Sequence, residues 1–65
     1  MDKREFNAGY KSGIKTIKDE KYGYEFAIEY LKQKQACINR YTENKIKSYW
    51  QGYEKAINDS KNLYK

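Results

Sequence analysis

Hydrophobic side chains recur every three or four residues along the whole chain, and no proline interrupts them. This spacing matches one face of an α-helix rather than the alternation typical of a half-buried strand. The four glycines do not cluster into a linker. The 65 residues are therefore predicted to form one small helical domain spanning residues 1–65, an all-α bundle of two or three helices.

Three helices are predicted, over residues of about 3–18, 21–38 and 43–62, from the positions of the apolar side chains. Asp19 and Thr42 are the expected caps of the second and third helices. Because neither Pro nor Gly separates these two helices, one fused helix is the alternative. The predicted apolar faces consist of Phe6, Tyr10, Ile14 and Ile17; of Phe26, Ala27, Tyr30, Leu31, Cys37, Ile38 and Tyr41; and of Ile46, Tyr49, Trp50, Tyr53, Ile57 and Tyr64.

Several function classes are disfavoured by composition. The chain has no His and a single Cys, so neither an internal disulfide, a conventional zinc site nor a His general base is expected. We expect no enzyme activity, no metal and no cofactor, and we expect Cys37 to be a small buried residue. No apolar run approaches the roughly 20 residues of a membrane span, and no signal stretch follows Met1. A cytoplasmic protein is predicted.

The net charge of +5 favours a polyanionic partner such as nucleic acid or an acidic protein surface. Residues 1–33 have a net charge of +1, and residues 34–65 have one of +4. Lys greatly outnumbers Arg, and Asn, Ile and Tyr are abundant, which is typical of A/T-rich coding sequences. This composition indicates a low-GC bacterium or its phage.

Two groups of basic residues are candidate nucleic-acid contacts. Lys11, Lys15 and Lys18 form a stripe at i, i+4 and i+7 that can neutralise several phosphates; the alternative is a simple solvated face that suits a helix C-terminus. The second group lies at the predicted turn, where cations alternate with rings that can stack on unpaired bases. It comprises Arg40, Tyr41, Lys45 and Lys47, with Tyr49 beside them. Packing of these tyrosines is the alternative.

A Gly-Tyr motif occurs three times, at residues 9–14, 23–28 and 52–57. Small residues four apart on a helix let a second helix approach closely, so the motif predicts helix packing, with a partner surface as the alternative. Trp50 is predicted to be a core anchor or, alternatively, an interface hot spot. The residues assigned to this packing or partner motif are Gly9, Tyr10, Gly13, Trp50, Gly52, Tyr53 and Ala56.

The stretch Gly9-Tyr10-Lys11-Ser12-Gly13-Ile14, paired with Trp50-Gln51-Gly52-Tyr53-Glu54-Lys55-Ala56, resembles ribosome modulation factor. That family of small bacterial proteins pairs Gly-Tyr-x-x-Gly-Ile with a later Trp-x-x-Gly-aromatic-x-x-Ala segment. The match covers residues 9–14 and 49–59, or 23–59 if the second Gly-Tyr is the counterpart. The resemblance implies a mostly helical protein that binds the small ribosomal subunit near the messenger-docking region and silences translation.

Two functions are predicted from these features. The first is binding of structured RNA, with the ribosome as the leading candidate, and modulation or inhibition of translation by occlusion. The second is a phage-encoded inhibitor that binds a host enzyme or defence complex through a Tyr-rich face. With so few aliphatic residues, the domain is also expected to be marginally stable unless it forms a homodimer or is bound.

Overall fold

Three α-helices make up the fold in the computed structural model, which describes residues 2–61. Helix α1 spans Lys3–Lys18, α2 spans Gly23–Ala36 and α3 spans Asn44–Ser60. Within residues 2–61 there is no β-strand, and the predicted all-α bundle is confirmed. The predicted end of the third helix at residue 62, and Tyr64 on its apolar face, lie outside the described residues.

Helix α1 begins and ends as its sequence predicts. The Asp2 carboxylate caps it by accepting a hydrogen bond from the Glu5 amide at 3.1 Å. The Asp2 amide in turn donates to the Ser48 hydroxyl at 2.9 Å, which ties the start of α1 to α3. Lys15 and Lys18 occupy the last turn, where positive charge suits the helix dipole.

Helix α2 is shorter than predicted at both ends. Asp19 does not cap it, because its carboxylate accepts from the Lys21 amide at 2.8 Å and so closes the preceding turn. The helix instead starts at Gly23, whose φ of 78° lies in the left-handed region that favours glycine. It ends at Ala36, so Cys37 and Ile38 are not part of the helix.

A turn over residues 37–43 separates α2 from α3, so the alternative of one fused helix is wrong. The Thr42 hydroxyl accepts from the Asn39 amide at 3.0 Å, and the Asn39 side chain accepts from the Tyr41 amide at 2.8 Å. Thr42 therefore holds the turn and does not cap α3. The residue at the cap position is Glu43, which makes no side-chain capping bond.

Helices α1 and α3 form the most extensive contact of the bundle, and backbone lies directly against backbone there. A Cβ atom at Gly9 would overlap the Tyr49 carbonyl, and one at Gly52 would overlap the Phe6 carbonyl. Further along both helices, a Cβ at Gly13 would come within 2.7 Å of the Ala56 Cβ. The start of α1 meets α3 at Ser48, through Asp2, and its later part meets α3 at Ala56, through Gly13, so α1 and α3 run parallel. We call this contact the α1–α3 seam.

The buried core lies where all three helices meet, and it is small. Its hydrophobic cluster consists of Ile17, Ala27, Leu31, Tyr53 and Ile57. Burial was predicted wrongly for four other members of the apolar faces, which are exposed: Phe26, Cys37, Tyr41 and Ile46. Cys37 and Tyr41 lie beyond the end of α2, so the helical projection that placed them inward does not apply to them. On α2 only Ala27 and Leu31 are buried, so its buried face is narrow. Phe26 lies at the margin of that face and is exposed.

Candidate nucleic-acid interface

The outer face of α1 carries a row of basic side chains, which we call the α1 stripe. Arg4 extends the predicted group of Lys11, Lys15 and Lys18, and all four side chains are exposed. At 100° per residue they fall within an arc of about 60°, and at 1.5 Å per residue they extend over roughly 21 Å. No carboxylate of residues 2–61 lies within salt-bridge distance of any of them.

Positive charge is much more balanced on the other two helices. The α1 segment contains five basic residues and one acidic residue, whereas α2 has two of each and α3 has three basic and two acidic residues. On α2 the Lys32 ammonium pairs with Glu29 at 3.6 Å, and on α3 Lys55 pairs with Asp59 at 3.5 Å. The unpaired positive charge is therefore concentrated on α1, although the first half of the sequence has the smaller net charge.

The second basic group lies at the turn and at the start of α3. The Arg40 guanidinium lies 4.9 Å from the centroid of the Tyr41 ring and donates to the Tyr41 hydroxyl at 2.8 Å. Tyr41 is 79% exposed, so its ring packs on Arg40 and not in the core. Lys45 is exposed, while Lys47 is half-buried.

The two basic groups do not form one compact patch. Since α1 and α3 are parallel, the start of α3 lies beside the start of α1, as the contact between Asp2 and Ser48 establishes. Lys15 and Lys18 lie toward the opposite end of the bundle. Arg4 is the member of the α1 stripe that lies at the same end as Lys45. Sequence reasoning missed Arg4, although its spacing of seven residues from Lys11 could have identified it.

A row of aromatic rings follows the exposed edge of α2. The Tyr22 and Phe26 ring centroids are 4.5 Å apart, and those of Phe26 and Tyr30 are 5.8 Å apart. Tyr22 and Phe26 are 45% and 42% exposed. Lys21 lies 5.5 Å from the Tyr22 centroid, and Lys34 lies 5.3 Å from that of Tyr30. We call this row the α2 aromatic edge.

The residues of the predicted packing or partner motif fall into two groups. One group lies in the α1–α3 seam, and the other consists of the α3 rings Trp50 and Tyr53. Gly9, Gly13, Gly52 and Ala56 are buried in the seam. Tyr10 lies at the side of the seam, and its hydroxyl donates to the Asp59 carboxylate at 2.9 Å. The motif residues of the seam are therefore covered by the helices themselves.

Tyr53 and Trp50 are the aromatic members of the motif on α3. Tyr53 is 1% exposed, and its hydroxyl has no hydrogen-bond partner within residues 2–61. Burial raises the pKa of Tyr53. Trp50 is half-buried and meets Tyr30 and Tyr49 edge-on, with interplanar angles of 81° and 79°.

An open cavity lies between the end of α2 and the start of α3. Its volume is about 320 Å³, and it is lined by Gln35, Ile38, Lys47, Trp50, Gln51 and Glu54. The side-chain amide of Gln35 donates a hydrogen bond to the Glu54 carboxylate at 3.0 Å. Lys47 has no carboxylate of residues 2–61 within salt-bridge distance. The cavity thus combines one flat aromatic side chain with a cation, a carboxylate and two amides.

Other kinds of site find little support in the described part of the chain. Residues 2–61 contain no group of three or more His, Cys, Asp or Glu side chains that could hold a metal ion. None of the three helices has the length and apolar character needed to cross a membrane. Cys37, expected to be buried, is exposed, and its thiol donates to the Gln33 carbonyl at 3.6 Å.

Comparison of the chain with protein-family models, with curated proteins and with solved structures gave no match. The resemblance to ribosome modulation factor stays a prediction from the segments at residues 9–14 and 49–59.

Proposed function

We propose that the protein binds structured RNA through the α1 stripe, and that it modulates or inhibits translation by occluding part of the ribosome. The observation that carries the proposal is the run of four exposed cations without carboxylate partners within residues 2–61. The resemblance to ribosome modulation factor supports the ribosome as the partner. Such a protein would act in the cytoplasm.

The stripe suits a phosphate backbone for physical reasons. Lys11, Lys15 and Lys18 are spaced by roughly 4.5–6 Å along the helix axis, so neighbouring side chains can contact successive phosphates. Each phosphate neutralised releases condensed counterions, which makes binding favourable at low salt and steeply salt-dependent. The exposed Arg40 and Tyr41 at the turn offer a further cation and ring for an unpaired nucleotide.

The salt dependence of RNA binding tests the proposal. A variant with Arg4, Lys11, Lys15 and Lys18 replaced by Gln should bind ribosomal RNA more weakly. The slope of log affinity against log salt should flatten by up to about four phosphate contacts' worth. The matched control replaces Lys32 and Lys55, which are already paired with carboxylates, and should change that slope little. Unchanged slopes in the α1 stripe variant would contradict the proposal.

Capture from lysate, with and without ribonuclease, tests the partner directly. If the ribosome is bound through RNA, the protein should sediment with the small subunit and be released by ribonuclease or by high salt. Binding that survives both treatments would indicate a protein partner.

A second candidate function is the inhibition of a host protein, as by a phage-encoded inhibitor. The observation that favours it is the α2 aromatic edge, where Tyr22 and Phe26 expose apolar rings that are enriched at protein interfaces. Replacing both residues by Ser should then abolish binding, whereas salt should affect binding little. The same edge could hold two copies together, which sedimentation of the free protein over a range of concentrations would reveal.

A further inference from the structure

The cavity between α2 and α3 has the size and composition of a small-ligand site. Its volume of about 320 Å³ lies at the lower end of the range for such sites, about 300–1,000 Å³. Trp50 and Ile38 supply apolar surface, and the remaining side chains are polar or charged. The indole plane makes angles of 81° and 79° with the rings of Tyr30 and Tyr49 and of 54° with that of Tyr53, so none of these rings is stacked parallel on it. A flat ligand could therefore stack on Trp50 from the cavity.

Glu54 determines which flat ligand fits best. Its carboxylate has acceptor capacity for about four hydrogen bonds, and within the described residues one of its oxygens accepts from Gln35. Among the four RNA bases, only guanine presents two adjacent N–H donors on its Watson–Crick edge. Adenine, cytosine and uracil place an acceptor next to each donor, and that acceptor would face a carboxylate oxygen. A bidentate contact with Glu54 therefore favours guanine.

Lys47 adds a contact for the phosphate that accompanies a nucleotide. It lines the same cavity, is half-buried, and lacks a carboxylate partner within residues 2–61. The exposed Lys45 lies two residues away in the same first turn of α3. Positive charge thus lies beside the aromatic side chain, the combination by which proteins bind single-stranded RNA.

From these groups we infer that the cavity binds an unpaired guanine nucleotide. The base stacks on Trp50, its Watson–Crick edge donates to Glu54, and its phosphate contacts Lys47. The inference rests on the proposed RNA-binding function and deepens it, because it adds base recognition to the phosphate contacts of the α1 stripe. The same chemistry would also accept a free guanine nucleotide.

Trp50 fluorescence tests the inference, because Trp50 is the only tryptophan of the chain. The probes are GMP, AMP, and two RNA hairpins that differ only in one unpaired loop base, G or A. GMP and the G hairpin should quench Trp50 and should bind more tightly than their adenine counterparts. Glu54→Gln should remove this preference and weaken binding of the G hairpin on the order of 10- to 100-fold. Lys47→Gln should weaken both hairpins equally.

Controls separate recognition from folding. Glu25→Gln removes an exposed carboxylate on α2 and should leave the guanine preference intact. All three Gln variants should retain the helical circular-dichroism spectrum of the parent. Tighter binding of the G hairpin than of GMP would identify RNA as the source of the base, whereas similar affinities would identify a free nucleotide; both outcomes support a guanine site.

Two outcomes would overturn the inference. One is equal quenching by guanine and adenine probes, and the other is an unchanged guanine preference in Glu54→Gln. If RNA then still binds with the salt dependence of the α1 stripe, the cavity assignment fails while the proposed function stands. If GMP quenches Trp50 but RNA binding is unaffected by loss of the α1 stripe, the proposed function fails while the guanine site stands.

Discussion

The α1–α3 seam and the contacts of α2 join helices in opposite ways. In the seam, Gly9 and Gly52 bring each backbone against a carbonyl of the facing helix. Around α2, helices are joined through side chains, as when Tyr30 meets Trp50 and Tyr53 edge-on. Backbone atoms cannot move aside without displacing a whole helix, whereas rings can rotate. We therefore expect the seam to tolerate almost no added volume and α2 to tolerate a good deal.

A repeat of small residues explains why the seam closes so tightly. On α3 every fourth residue from Ser48 to Ser60 is small and buried, namely Ser48, Gly52, Ala56 and Ser60. These positions share one side of the helix and form a groove into which α1 fits with Gly9 and Gly13. With α1 and α3 this close, much of the stability of the domain depends on a few positions without side-chain bulk.

The largest effect is expected for Gly52→Ala. The added methyl group would overlap the Phe6 carbonyl and come within 2.9 Å of the Tyr10 amide nitrogen, both of them backbone groups. The two helices must then separate, and the free energy of unfolding should fall by about 3 kcal/mol, at the upper end of typical overpacking costs. Since a domain this small has only about 3–5 kcal/mol in total, only about 0–2 kcal/mol would remain, and thermal melting should show a strongly lowered midpoint.

Gln51→Ala is the matched control for this substitution. Gln51 is the exposed neighbour of Gly52, so the same residue is introduced one position away without entering the seam. We expect its free energy of unfolding to lie within about 0.5 kcal/mol of that of the parent. If Gly52→Ala instead raised the melting temperature through its better helix propensity, the seam would not be crowded.

A compensating exchange across the seam should give a smaller effect. A Cβ at Gly13 would lie 2.7 Å from the Ala56 Cβ and 3.1 Å from the Tyr53 carbonyl oxygen. Gly13→Ala alone should cost about 1–3 kcal/mol. Adding Ala56→Gly removes the closest atom, so the double variant should recover about 1 kcal/mol relative to the sum of the single changes. Chemical denaturation of all four proteins measures this coupling, and strict additivity would contradict the proposed contact.

On α2, removal of a large ring should lower the free energy of unfolding by less than the addition of one methyl group at Gly52 in the seam. Phe26→Ala removes the middle ring of the α2 aromatic edge, but that ring is 42% exposed. We expect a loss of about 1 kcal/mol in the free energy of unfolding. Leu31→Ala, in the buried part of the same helix, should cost at least about 2 kcal/mol. A loss at Phe26 as large as that at Gly52 would break the comparison between the two regions.

Sequence reasoning succeeded where periodicity carries the information. The helical class and both ends of α1 follow from residue spacing and from the placement of charges in its first and last turns, which are local signals. Trp50 and Tyr53 were correctly expected near the core. Phe26 is equally apolar and was expected there too, but it is exposed. Burial depends on which helices meet, and the parallel contact of α1 with α3 is not encoded in the spacing of either segment alone.

The candidate sites show the same division. Lys11, Lys15 and Lys18 were grouped as a candidate because their spacing is local, and Arg4 could have been added by extending that spacing over two more turns. The cavity could not be predicted, because it combines Gln35 from the end of α2 with Lys47 and Glu54 from α3. The turn over residues 37–43 brings these residues together, and hydrogen bonds of Asn39 and Thr42 hold that turn. The spacing of hydrophobic residues does not predict these hydrogen bonds.

The smallest expected effect is a change in the titration of Tyr10, which probes the exposed side of the seam. Its hydroxyl donates to the Asp59 carboxylate, and this hydrogen bond, with smaller contributions from burial and from the carboxylate charge, raises the pKa of Tyr10 above its ordinary value of 10.0. The folded state therefore retains the proton more strongly than the unfolded state. The corresponding stability is fully present below pH 10 and is lost as the pH rises through the pKa of the folded protein.

Asp59→Asn should lower the pKa of Tyr10 toward the ordinary value, as followed by NMR. Tyr53, whose raised pKa comes mainly from burial, should titrate as before and serves as the internal control. An unchanged pKa of Tyr10 in the variant would show that this contact does not hold α1 and α3 together at the side of the seam.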